Sequence, residues 1–134
     1  KKYDLQKEIK YIGGFSFVDA LQKMSDYDVL VLIEAKMEYG IFFPSKLVDY
    51  NQVNVPILAI SPKQGYSKSL FSKFKAGVAV HNNDEKDIYN GLKKIIELKL
   101  QEKLKETFDL KTLQNFYSSE EIVNQYKNIF KGLL

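Results

Sequence analysis

Four short runs of apolar residues, separated by polar and turn-forming segments, constrain this chain more than any other feature of its sequence. The runs are Ile9 to Ile12, Val29 to Ile33, Pro56 to Ile60 and Gly77 to Val80. They are nearly continuous instead of alternating, which is typical of strands that are covered on both faces of a sheet. Because patterns typical of helices lie between them, the sequence predicts an α/β fold with an open, mostly parallel sheet of about four strands flanked by helices.

Several of the predicted helices have recognisable start signals. Ser16 with Asp19 and Ser118 with Glu121 have the spacing of a capping box, in which side-chain oxygens accept hydrogen bonds from the first turn. Further helices are expected from about Ser45 to Val53, around Leu70 to Phe74, and after Asn83 or Asp84. The last helix is expected to carry an apolar stripe of Ile122, Tyr126, Ile129, Phe130 and Leu133.

Length and composition indicate one compact domain. The chain has 134 residues, of which 45% are apolar and 28% charged, which is enough for one core and too few for two ordinary domains. The absence of cysteine excludes disulfides and thiolate metal sites, and a single histidine, His81, excludes a histidine-rich metal site. The net charge of +3 is spread along the chain, so no nucleic-acid partner is predicted. The longest apolar run is far shorter than the ~20 residues that a membrane-spanning helix needs.

Ligands of open parallel α/β sheets bind beyond the carboxyl ends of the strands. The first predicted loop there contains Gly13 and Gly14, which either let the backbone approach a ligand or simply make a turn. The second, Glu34 to Ser45, ends at a predicted helix start. Backbone N–H groups at that start, with Lys46 nearby, form a candidate anion site. The alternative is that Ser45 is only an N-cap and Lys46 a surface residue.

Three carboxylates lie close in sequence to the same loop. Glu34, Glu38 and Asp49 either accept hydrogen bonds from ribose or sugar hydroxyls, or are ordinary solvated charges. His81 follows the last predicted strand and is expected in a loop, where it would act as a general base only if that loop folds over the site. From the residues alone, it therefore stays open which of these side chains form the site.

Three segments in a fixed order carry a family resemblance: GGFSFVDALQKMSDYDVLVLIE, FFPSKLVDYNQVNVPILAISP and GVAVHNNDEKDIYNGLKKI. Together they resemble the C-terminal domain of retaining GT-B glycosyltransferases of the glycogen-synthase-like superfamily, in the family 4 and family 1-like group. The resemblance covers nearly the whole chain, through the closing FYSSEEIVNQYKNIF. It implies a partial Rossmann-like fold, and it implies that residues 1–134 are a fragment of the single donor-binding domain, without the N-terminal acceptor domain.

The resemblance also implies which residues form the site. Ser45 and Lys46 would lie near the donor diphosphate, and Asp49 would match the second acidic residue of the family's E-x7-E motif, which typically holds the ribose. The first acidic position falls on Ile41, so its role is either lost or passes to Glu38 or Glu34. Glu38 is therefore our predicted catalytic carboxylate. The predicted donor-binding residues are Gly13, Gly14, Gly40, Ile41, Ser45, Lys46 and Asp49.

The implied reaction transfers a sugar, with retention, from a nucleoside diphosphate sugar such as a UDP- or GDP-sugar to an acceptor hydroxyl. Positive groups and helix dipoles would stabilise the leaving diphosphate, so neither a metal nor another cofactor is expected. A carbohydrate or lipid-linked acceptor would bind through the missing domain. The expected location is cytoplasmic, peripheral to the membrane in the full-length protein.

Two rival functions stay open at this point. One is a sugar-nucleotide epimerase of the same architecture, which would need an acid and a base around the sugar. The other is a non-catalytic α/β binding module, which would bind no nucleotide at any chain length. An incomplete sheet would also expose unpaired backbone at one edge, through which two copies of the chain could form a homodimer.

Overall fold

A three-stranded parallel sheet flanked by helices forms the centre of the protein, as seen in a computed structural model that describes residues 4–132. In chain order the elements are α1 (Phe17–Ser25), β1 (Leu30–Ile33), β2 (Tyr39–Gly40), α2 (Lys46–Tyr50), β3 (Ile57–Ser61), β4 (Gln64–Gly65), α3 (Tyr66–Lys73), β5 (Gly77–His81), α4 (Glu85–Leu100), α5 (Leu104–Thr107), α6 (Leu110–Phe116) and α7 (Ser119–Lys131). The strand order of the sheet is β1-β3-β5, and β2 with β4 forms a separate parallel pair. The α/β class predicted from the sequence is confirmed.

Both faces of the sheet are covered by helices. Leu32, Ile57 and Ala59 lie on one face and pack against α2 and α3, so we call it the α2/α3 face. Leu58 and Val80 lie on the other face and pack against α4 and α5, so we call it the α4 face. This double burial explains the continuous apolar sequence of the central strand β3. The cover is incomplete over β1, where Val31 and Ile33 on the α4 face are 44% and 73% exposed.

Three of the four predicted strands form, and the fourth does not. β1, β3 and β5 correspond to the apolar runs that start at Val29, Pro56 and Gly77. The prediction for Ile9 to Ile12 is wrong, because these residues are exposed and unpaired. A local turn competes with the strand: the Ile9 N–H donates to the Leu5 carbonyl at 2.8 Å. The sheet therefore has three strands instead of about four.

The predicted helix starts are largely confirmed. The Ser16 and Ser118 hydroxyls accept hydrogen bonds from the N–H groups of Asp19 at 3.3 Å and Glu121 at 3.2 Å. Asp84 caps α4, because its carboxylate accepts hydrogen bonds from the backbone N–H groups of Lys86 and Asp87. The bounds of two helices were predicted wrongly: α2 ends at Tyr50 instead of Val53, and α3 begins at Tyr66, directly after a glycine with φ of 138°.

The last helix, α7, forms as predicted, but most of its apolar stripe is exposed. Tyr126, Ile129 and Phe130 are each about 60% exposed, and Ile122 is 38% exposed. Leu133, the last residue of the predicted stripe, lies outside the described residues. The helix is therefore amphipathic, and its apolar side is largely uncovered among the described residues.

One residue after α4 adopts a backbone conformation that favours glycine. Glu102 has φ of 59°, and the turn around it is closed by two hydrogen bonds, from its own N–H to Lys99 and from the Lys103 N–H to the Leu98 carbonyl. This is the arrangement of a Schellman motif, in which glycine usually occupies the left-handed position. We expect Glu102→Gly to raise the free energy of unfolding by about 0.5–1 kcal/mol, since the Cβ strain disappears.

Chemical denaturation would measure this change, with Lys94→Gly in the exposed interior of α4 as the control. The control should lower the free energy of unfolding by about 1 kcal/mol, because glycine has a poor helix propensity. Equal losses in the two variants would contradict the strain at Glu102.

Candidate functional site

The carboxyl ends of the three parallel strands lead into polar residues that lie side by side. The sheet pairing extends past β1, because the Glu34 N–H donates to the Ile60 carbonyl at 3.0 Å. Ser61 pairs with His81, and the Asn82 N–H donates to the Ser61 carbonyl at 2.9 Å. A carboxylate, a hydroxyl, an imidazole and an amide thus lie along the edge where open parallel sheets bind ligands.

The pair of short strands, β2 and β4, covers part of this edge. Gly40 pairs with Gly65, and a Cβ added to Gly65 would lie 2.6 Å from the Gly40 Cα. A Cβ added to Gly40 would lie 3.6 Å from the Glu34 carboxylate. The two glycines therefore let the loops after β1 and β3 approach each other directly above Glu34.

Asn82 ties the end of β5 to the end of β1. Its amide nitrogen donates to the carbonyls of Glu34, at 3.2 Å, and Ala35, at 3.0 Å, and its side chain is buried. Next to it, the Lys36 ammonium donates to the Asn83 side-chain carbonyl at 3.3 Å. These bonds fix the course of the segment after β1, which carries Lys36 and Glu38 into the site.

Two neighbouring clefts open at this edge, and Met37 lines both of them. The first has a volume of about 450 Å³ and a polar lining that includes Lys36, Glu38, Lys63, Gln64, His81 and Asn82. The second, of about 300 Å³, has a mainly apolar lining that includes Leu32, Ile33, Phe42 and Pro44, with Ser45 and Lys46 at one side. These volumes are in the range of small-molecule sites.

Three oxygens at this edge are buried without a hydrogen-bond partner among the described residues. They belong to the Glu34 carboxylate (Oε1), the Ser61 hydroxyl and the Asn82 side-chain carbonyl. Leaving such a group unpaired costs about 1–3 kcal/mol, and more for a charged one. All three can accept hydrogen bonds, so water or a ligand with O–H or N–H groups would stabilise the site.

The structure brings some of the predicted site residues to this edge. Glu38 lines the polar cleft, Ser45 and Lys46 line the apolar cleft, and Gly40 is buried between the loops. Ile41 lies in the same loop with its side chain 75% exposed.

The remaining predicted residues lie elsewhere. Asp49 lines a different cleft of about 290 Å³ between α1 and α2, together with Ile12, Lys46 and Tyr50. Gly13 and Gly14 lie in the exposed segment before α1, and a Cβ added to either would have no atom within 4 Å. Because the strand expected before them does not form, this glycine pair does not reach the carboxyl edge.

The helix start at Ser45 is weaker than the sequence indicates. Ser45 adopts helical dihedral angles, with φ of −55° and ψ of −31°, so its hydroxyl makes no capping hydrogen bond. The helix that follows has five residues, which gives it little dipole. An anion at this edge would depend on lysine side chains more than on this helix.

An aromatic cluster holds the loop that carries Ser45. The Phe43 ring packs edge-on against Tyr66, with centroids 4.9 Å apart, and the hydroxyls of Tyr66 and Tyr117 are hydrogen-bonded. Burial and this hydrogen bond raise the pKa of Tyr117 well above its usual value. The cluster connects the loop to α3 and to the end of α6.

No protein-family model matches the chain, and no curated protein or solved structure is significantly similar to it. Residues 4–132 contain no group of three or more His, Asp or Glu side chains arranged to hold a metal ion. No helix in the same range is long and apolar enough to cross a membrane.

Sequence reasoning missed several residues at the carboxyl edge, three of which line the polar cleft. Lys36, Ser61, Lys63 and Asn82 were not predicted as site residues, although each follows or ends a correctly predicted strand. The rule that ligands bind beyond the carboxyl ends of parallel strands would have identified them. Their hydrogen bonds and burial, in contrast, follow only from the three-dimensional arrangement.

Proposed function

We propose that this chain is the donor-binding domain of a retaining glycosyltransferase and that it binds a nucleoside diphosphate sugar at the carboxyl edge of the sheet. The observation that carries the proposal is the combination of charges and buried oxygens at this edge: Lys36 and Lys63 line the polar cleft together with Asn82. The side-chain carbonyl of Asn82, like the Glu34 and Ser61 oxygens at the same edge, is buried without a hydrogen-bond partner among the described residues. A ligand with both negative charges and hydrogen-bond donors fits this combination.

The two clefts suit different parts of such a ligand. Lys36 and Lys63 would neutralise the diphosphate, and their positive charges would stabilise it as it leaves. The unpartnered oxygens of Glu34 and Asn82 would accept hydrogen bonds from hydroxyl or N–H groups. The apolar cleft beside Phe42 and Pro44 would take the flat face of a base.

The wider parts of the proposal rest on the resemblance in sequence. They comprise the GT-B type of fold, Glu38 as the catalytic carboxylate, a separate domain for the acceptor, and a cytoplasmic location. Glu38 lines the polar cleft, where a carboxylate could contact the transferred sugar. Because the acceptor would bind elsewhere, we expect the 134 residues alone to bind donor weakly at most and to be inactive as a transferase.

Calorimetric titration with UDP, GDP and their sugar conjugates would test the proposal. We expect Lys36→Ala and Lys63→Ala each to weaken binding about tenfold, equivalent to about 1.4 kcal/mol, because each removes a charge-assisted contact with phosphate. Lys46→Ala should also weaken binding, since Lys46 lies at the side of the apolar cleft.

The matched control is Lys94→Ala, which removes an exposed lysine of α4 that lines neither cleft. It should leave the affinity unchanged. Binding that all four variants reduce equally would indicate nonspecific attraction to positive charge. No binding of any nucleotide would favour a non-catalytic module instead.

A further inference from the structure

The outer edge of β1 is open. The N–H groups of Leu30 and Glu34 donate to carbonyls at the β3 side, at 2.9 and 3.0 Å. Since backbone groups alternate in direction along a strand, those of Val31 and Ile33 point away from the sheet. Among the described residues, the Tyr50 hydroxyl donates to the Val31 carbonyl at 3.1 Å, and no other hydrogen bond is seen at this edge.

A short apolar segment lies unpacked before α1. Ile9 is 66% exposed, Tyr11 90% and Ile12 43%, and a Cβ added to either glycine of the pair that follows would have no atom within 4 Å. Ile12 nevertheless lines the cleft between α1 and α2. The same cleft contains Tyr50, whose hydroxyl donates to the Val31 carbonyl at the outer edge of β1. The end of this segment, at Ile12, therefore lies close to the open edge of β1.

The path of the chain through the sheet indicates where this segment fits. The connections β1-α2-β3 and β3-α3-β5 both cross the α2/α3 face. Each places the next strand one position further along the sheet, in the order β1, β3, β5. α1 packs on the same face, with Leu21 and Met24 against Leu30. A parallel strand before α1 that follows the same path would lie at the outer edge of β1, because β3 occupies the inner edge.

We propose that residues 9–12 add to the outer edge of β1 as a fourth parallel strand when a nucleotide occupies the cleft, and that this brings the Gly13–Gly14 backbone to the ligand. The inference rests on the proposed function for its trigger. In the register that sets Ile12 beside Ile33, Gly13 lies beside Glu34 at the carboxyl edge. In this register the Gly13 N–H donates to the Ile33 carbonyl, and the Gly14 N–H is left free for the ligand. Because the Gly14 N–H would contact the ligand only in this state, that difference in contacts shifts the population toward it.

In this register one hydrogen bond at the edge of β1 replaces another. In parallel pairing with Ile12 beside Ile33, the Tyr11 N–H donates to the Val31 carbonyl and so replaces the Tyr50 hydroxyl, whereas the Lys10 N–H points away from β1. Proline at position 11 therefore removes a required donor, and proline at position 10 does not. Tyr50→Phe removes the competing donor and favours the added strand.

Amide hydrogen exchange followed by NMR, with and without saturating UDP or GDP, would test the proposal. We expect the Val31 and Ile33 amides to exchange at least about tenfold more slowly with nucleotide, while the Leu30 and Glu34 amides are protected in both states. Tyr11→Pro should abolish the change and weaken nucleotide binding severalfold, whereas Lys10→Pro should keep both. Tyr50→Phe should strengthen binding, a gain that a folding defect cannot produce.

The outcomes separate this inference from the proposed function. Nucleotide binding without slower exchange at Val31 and Ile33, or equal effects of the two proline variants, would overturn the added strand and leave the binding function in place. Protection that is already complete without nucleotide would overturn the coupling to the ligand. A chain that binds neither UDP nor GDP would overturn the proposed function and, with it, the ligand-driven strand.

Discussion

Gly77→Ala is expected to lower the free energy of unfolding by about 3–5 kcal/mol, a large part of the stability of a domain of this size. A Cβ added to Gly77 would lie 1.8 Å from the Ile57 carbonyl oxygen and 2.7 Å from the Ile57 nitrogen. Both are backbone atoms of the central strand, which is held between β1 and β5. The clash can be relieved only by moving β5 away from β3, because neither backbone can rotate aside.

Gly14→Ala is the matched control for this prediction, since a Cβ there would meet no atom within 4 Å and the backbone has ordinary dihedral angles. Chemical denaturation of both variants would give the two free energies of unfolding. We expect Gly14→Ala to change the value by less than about 0.5 kcal/mol. A Gly77→Ala variant as stable as this control would show that β5 does not approach β3 as closely as described.

The fold could be predicted from the sequence where local patterns and burial agree. The strands β1, β3 and β5 were identifiable because each is apolar on both faces and is followed by a turn signal. Ser16, Asp84 and Ser118 marked helix starts because capping depends on a few adjacent residues. The run Ile9 to Ile12 is also mainly apolar, although it contains Lys10. A strand needs a partner edge as well, and composition carries no information about partners.

The sequence predicts where the candidate site lies, but it predicts only some of the residues that form it. Glu38 and Lys46 were predicted from the loop after β1, which reaches the carboxyl edge, and they line the two clefts there. Asn82 was not, because its role depends on hydrogen bonds to Glu34 and Ala35, which are 48 and 47 residues away in sequence. The pairing of β2 with β4 was missed for the same reason: two residues per strand give no periodic signal.

Gly65→Ala is expected to weaken nucleotide binding at least about tenfold, more than the removal of either lysine of the polar cleft. A Cβ at Gly65 would lie 2.6 Å from both the Cα and the carbonyl oxygen of Gly40, and Gly65 has φ of 138°, which L-residues rarely adopt. The substitution would therefore separate β4 from β2. Since the loops next to these strands carry Glu38 and Lys63, the wall of the polar cleft would move with them.

The opposite glycine provides the control within the same strand pair. A Cβ at Gly40 would meet its nearest neighbours, the Gln64 carbonyl and Pro62, at 3.5 Å, which is ordinary van der Waals contact. Gly40→Ala should thus keep the pairing and reduce the affinity for UDP or GDP by less than about twofold. Calorimetric titration of both variants would measure their affinities for UDP or GDP, and thermal unfolding would confirm that each variant is folded. If Gly40→Ala abolished binding while Gly65→Ala did not, the ligand would contact Gly40 directly, and the steric role assigned to the strand pair would be wrong.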